Sequence, residues 1–186
     1  MKKLITNIFM TSALIVGIST INSCSKVDDI IDNITIPVPF DIPVNIETEI
    51  PFAVATEYVK SPSIPLGLDL DKEIKERFEG NLTVKSAKLT SFSISQVSSV
   101  GGINLKAVSD AELWISAPGQ EDKVIATVTN NTSETALSFT PDTTVELMNY
   151  LKSTQAAIYI KVKGPENKVD QMKIRINSSF KIQVGL

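Results

Sequence analysis

The sequence predicts an antiparallel β-sandwich of about eight strands with two short helices. Three observations lead there. Beyond residue 34, apolar residues recur at every second position through most of the chain. Turn-forming clusters at Gly101-Gly102, Pro118-Gly119, Asn130-Asn131 and Gly164-Pro165 cut these runs into short segments. Only two stretches combine helical spacing with helix-start chemistry.

The first alternating run is Ile34, Ile36, Val38, Phe40, Ile42, Val44, Ile46, Ile50, Phe52 and Val54, all even-numbered. Pro37, Pro39, Pro43 and Pro51 interrupt it, and all are odd. Alternate residues of a strand aim their N–H groups to opposite sides, so every missing donor falls along one edge. An edge strand blocked against further pairing is expected, with Asp41, Asn45, Glu47 and Glu49 facing water.

Ser61 to Pro65 reads as a loop, and the segment from Asp69 to Gly80 as a helix. Asp69 is its cap, Ile74 and Phe78 form an i,i+4 apolar pair, and Gly80 is the stop. Asp69, Asp71 and Glu73 do not continue into a calcium loop, because Glu73-Ile74 stands where a further Asp or Asn and then Gly are required.

From Leu82 to Val97 the phase slips. Val84, Phe92 and Ile94 are even but Ala87 and Leu89 are odd, which places a bulge near Thr90-Ser91. Strands follow at Ala111 to Ser116, Val124 to Val128 and Leu137 to Phe139. Thr140-Pro141-Asp142 then opens the second expected helix, running through Val145, Met148 and Leu151. Ala156 to Val162 is a strand. The chain closes on Met172, Ile174, Ile176, Phe180, Ile182, Val184 and Leu186, a terminus tied into a sheet.

Little catalytic chemistry is available. The chain has no histidine, which removes the usual general base and the commonest zinc ligand. Ser178 and Lys181 match an S-x-x-K spacing, but a period-two strand sends them to opposite faces. No glycine-rich phosphate loop is present. A non-enzymatic protein is expected, with no cofactor and no metal. With 21 acidic against 18 basic residues and a net charge of −3, nucleic acid is not an expected partner. Trp114, the sole tryptophan, alternates onto the face of Glu112 and Ser116, and Tyr159 is likewise opposed to Ile158 and Ile160. Trp114, Glu112 and Tyr159 are therefore the candidate ligand platform; flat rings beside polar groups stack on sugars. Alternatively, the rings are covered as a second small core.

The N-terminus addresses the chain. Lys2 and Lys3 precede an apolar run of about a dozen residues, Ile8 to Ile18, the form of a secretory signal and too short to span a bilayer. Ile21-Asn22-Ser23-Cys24 then presents aliphatic, x, small, Cys around the only cysteine. This pattern resembles the lipobox of bacterial lipoproteins, which implies cleavage before Cys24 and a diacylglycerol on its sulfur. The following Ser25-Lys26-Val27-Asp28-Asp29 resembles the acidic export signals of surface-exposed Bacteroidota lipoproteins, or serves as a solvated tether. The implied organisation is a signal peptide helix over 1–23, a lipidated cysteine and tether over 24–33, and one β-sandwich over 34–186. The implied location is the outer membrane of the cell envelope, facing either the surface or the periplasm. An outer-membrane protein or a polysaccharide is the expected partner. Asp142-Thr143-Thr144 resembles the O-glycan acceptor site of exported Bacteroidota proteins, with Thr143 as acceptor.

Overall fold

A computed structural model describes residues 38–78 and 82–185. The signal segment, Cys24, the tether, Ile34, Ile36, Pro37, Gly80 and Leu186 lie outside them.

The expected edge strand is β1 (Val38–Val54), and among the described residues its sole ladder is with β9 (Lys168–Gly185). Ile42 faces Phe180, Ile46 faces Ile176 and Ile50 faces Met172, so the even residues of both strands line one face. The register runs unbroken over 17 residues although Pro39, Pro43 and Pro51 have no N–H. The odd positions must therefore be those whose N–H groups point away from β9. Asp41, Asn45, Glu47 and Glu49 are exposed, as alternation requires.

β4 (Thr83–Ser99) flanks the other side of β9. The ladder shifts at Leu89/Ser91, where the phase slip placed a bulge, and again at Val84/Ser86 and Gln96/Ser98. Each bulge adds local twist and bends the strand.

The remaining strands are β2 (Val59–Lys60), β3 (Ile64–Pro65), β5 (Asp110–Ser116), β6 (Lys123–Val128), β7 (Ala136–Pro141) and β8 (Ala157–Lys163). Hydrogen bonding orders the sheet β1-β9-β4-β7-β6-β5-β8-β2, with β3 also on β8, and every pair is antiparallel. This corrects the expected two-sheet sandwich. Residues 136–139 of β7 pair with β4 and residues 140–141 pair with β6, so one strand joins both halves. The result is a single strongly curled sheet, a half-barrel whose inner face is one apolar core. Leu66, Leu68, Leu70 and Ile74 fill part of its interior.

The first helix, α1 (Leu70–Arg77), has the expected cap: Asp69 Oδ1 accepts from the Lys72 amide at 3.0 Å. Phe78 has already left the helix (φ −132°, ψ 138°) and packs edge-on against Phe40 of β1, ring centroids 5.1 Å apart. The second helix is far shorter than expected. Thr140 and Pro141 end β7, and α2 spans only Met148–Leu151. Asp142 instead closes an Asx turn, accepting from the amide of Thr144 at 2.9 Å.

Between these elements Glu146 reaches back to β4. Its carboxylate accepts from the Ala87 amide and the Ser86 hydroxyl, each at 2.7 Å, and from the Met148 amide at 3.0 Å. The Ala87 amide beside the first bulge is thereby satisfied, and α2 is fixed to the sheet. Phe40, Ile182 and Ala87 share a register row, so both helices sit toward that end of the half-barrel. At the other end the Gly164 amide donates to Ala55 O at 2.8 Å, linking the end of β8 to the end of β1.

Candidate functional site

The outer face of β5 and β8 is built by strict alternation. Ala111, Leu113 and Ile115 are fully buried, while Asp110, Glu112, Trp114 and Ser116 are half-buried on the opposite side. Register then sets the rows: Trp114 faces Tyr159, Glu112 faces Lys161 and Asp110 faces Lys163. Lys60 of β2 lies opposite Lys161.

Trp114 and Tyr159 stack with centroids 5.8 Å apart and planes 10° apart. The indole Nε1 donates to Glu112 Oε2 at 2.9 Å, and Lys161 Nζ lies 3.9 Å from the indole centroid. On Tyr159, Lys60 Nζ stands 3.6 Å from the ring centroid and the hydroxyl donates to Asp122 Oδ2 at 2.9 Å. Each ammonium–ring contact contributes about 0.5–1 kcal/mol at a partly exposed site. Nearby, Lys163 Nζ is 5.1 Å from the Tyr58 ring and 3.7 Å from Asp110.

Sequence reasoning thus placed Trp114, Glu112 and Tyr159 on one face correctly, but Tyr159 is not a platform. Only 3% of its surface is exposed, because Trp114 and Lys60 cover the ring. Burial, and then the bond to Asp122, push its hydroxyl up to about 12. Tyr58, at 41% exposure, is the more open ring, and burial followed by the charge of Glu112 raises its hydroxyl as well. Tyr58, Lys60 and Asp122 escaped the sequence reading. Two lie on or beside a two-residue strand too short to show a period, and the third sits in a polar turn.

The other half of the sheet looks different. Facing outward there are Ser91, Ser93, Ser95, Asn177, Ser179 and Lys181, none of them aromatic. Glu47 pairs with Lys173 at 2.6 Å and with Arg175 at 2.9 Å; these bonds, Lys173 first, hold its carboxyl below the usual range. Ser178 is buried and donates to Val44 O, while Lys181 is exposed, so the two sit on opposite faces. Thr143 is exposed in the Asx turn. Among the described residues no group of three or more His, Cys, Asp or Glu is placed to hold a metal ion.

Compared with known proteins, the chain matches no family model and no curated protein.

Proposed function

We propose that this is a lipid-anchored, non-enzymatic protein of the bacterial cell envelope, of the kind found in Bacteroidota. It is held at the outer membrane through a diacylglycerol on Cys24 and acts as an accessory component that contacts another envelope protein. The contact surface is the outer face of β5 and β8, with Trp114 and Tyr58 as anchors. One observation carries this assignment: the described outer faces of the half-barrel bring the aromatic rings of Trp114 and Tyr58 together with alternating charges on this half, against serines, Asn177, ion pairs and the exposed Val97 and Val169 on the other. Tryptophan and tyrosine set among polar groups are frequent anchors of protein–protein contacts.

A surface glycan-binding module, the competing assignment, has less support. A sugar needs a free ring face, and the indole is already engaged by Tyr159 and by the Lys161 ammonium. The odd-position prolines along β1 argue in turn against strand addition as the mode of contact.

Site-specific photocrosslinking in the native host tests the assignment. A benzophenone side chain at Ser116 is expected to give one discrete protein adduct, and the same group at Ser93 none. Equal labelling from both positions, or adducts to polysaccharide alone from Ser116, would overturn it.

A further inference from the structure

Among the described residues the half-barrel does not close its hydrogen-bond ladder. β1 pairs with β9, β2 pairs with β8, and residues of the two edge strands line one seam. A cavity of about 50 Å³ opens there, lined by Ile50, Phe52, Val59, Ile160, Met172 and Ile174 among other apolar side chains. Pro51, Ala53, Lys60 and Ser61, the more exposed of its polar or small lining residues, stand on its solvent side.

The polar groups on that side are already committed. Ser61 Oγ donates to Pro62 O at 2.9 Å and accepts from the Ile160 amide at 3.0 Å. Lys60 Nζ is turned outward onto Tyr159. With these two groups engaged, the walls offer mainly dispersion contacts. Close-packed interiors hold few voids larger than a water, and the walls of an empty void forfeit those contacts. Size narrows the occupant. An apolar cavity of about 150 Å³ takes benzene; one a third as large admits something thinner. A guest entering between β1 and β2 also breaks no ladder hydrogen bond.

From this geometry we infer that the seam binds the end of an unbranched alkyl chain, threaded between β1 and β2 toward Met172. This site is distinct from the outer face of β5 and β8 and does not depend on its role. A free fatty acid and a phospholipid present the same chain, so the test separates them.

The test uses the full chain carrying Cys24→Ser, with ¹³C-labelled Met and Ile methyls, in nanodiscs of dimyristoylphosphatidylcholine. In the first arm the lipid chains are deuterated and protonated decanoate is added. An NOE from the Met172 methyl to chain protons then assigns a free fatty acid. In the second arm the lipid is protonated and decanoate is omitted, and an NOE assigns a phospholipid chain. An NOE is expected in at least one arm. It should fall at least tenfold in both Val59→Phe and Ala53→Leu, with the remaining methyl spectrum retained in at least one of the two. Absence of an NOE in both arms, or an NOE that survives in a folded seam variant, overturns the inference.

Discussion

Trp114 and Tyr159 stand directly opposite each other on β5 and β8 and stack nearly parallel, 5.8 Å between centroids. Two lysines and two carboxylates finish the cluster: Lys161 over the indole, Lys60 over the phenol, Glu112 on the indole N–H and Asp122 on the hydroxyl. The pair is therefore a structural unit of the outer face as well as its most aromatic surface.

Because the indole is packed, Trp114→Ala should cost about 1–3 kcal/mol in urea unfolding. Tyr159→Phe, which loses only the bond to Asp122, should cost about 0.5–1.5 kcal/mol. A Trp114→Ala variant as stable as the parent would show that the indole is an unsupported surface ring.

At Gly164 one backbone segment passes close to another. A Cβ there would collide with Ala107 O and lie 2.6 Å from Val54 Cγ1. The carbonyl belongs to the 3₁₀ turn Leu105–Ala107 and has no side-chain freedom with which to yield. Gly164→Ala is expected to destabilise by about 1–3 kcal/mol, as overpacking does. A thermal melt unchanged from the parent would contradict this.

Asp170 ties β9 to the turn after β4. The bond from the Ser99 hydroxyl, followed by those from the amides of Gly101, Gln171 and Ile103, lowers its carboxyl to about 2 against an ordinary value of 3.8. The folded state thus holds this proton less readily than the unfolded chain. The stabilisation is complete above about pH 4 and is lost as pH falls from 4 toward 2. The urea midpoint should drop through that window, and Asp170→Asn should flatten the drop. Equal slopes in parent and variant would remove Asp170 as its source.

Proline placement on β1 predicts association behaviour. Replacing Pro39, Pro43 and Pro51 with Thr restores N–H donors along the free edge. Sedimentation velocity should show the triple variant self-associating where the parent does not. An unchanged distribution would show that the prolines do not guard the edge.

The lipid anchor is testable without the fold. The parent should partition into the Triton X-114 detergent phase and Cys24→Ala into the aqueous phase. Both forms in the aqueous phase would remove the anchor.

Where the sequence was legible, one physical period governed a long stretch. β1 and β9 alternate over 17 and 18 residues, and the slip between Leu89 and Phe92 is the bulge itself. The joining of the two halves into one sheet was hidden because it rests on β7 pairing with β4 at one end and β6 at the other, a long-range choice that leaves no periodic mark. The second helix misled for a local reason. Asp142 accepting from the Thr144 amide is the bond of a helix cap and equally of an Asx turn, and Glu146, drawn to Ala87, decides for the turn. Within the site, alternation gave the face of Trp114 and Tyr159. The covering of Tyr159 comes from Trp114 and Lys60, and its hydroxyl is held by Asp122, all remote from it in sequence.

The most direct measurement is affinity purification of a C-terminally tagged chain from gently solubilised membranes of its native host, beside a Trp114→Ala/Tyr58→Ala variant shown to be folded. The parent should bring down one stoichiometric envelope protein that the variant loses. A parent that purifies alone at native expression, or a partner retained equally by the variant, would contradict a contact surface on β5 and β8.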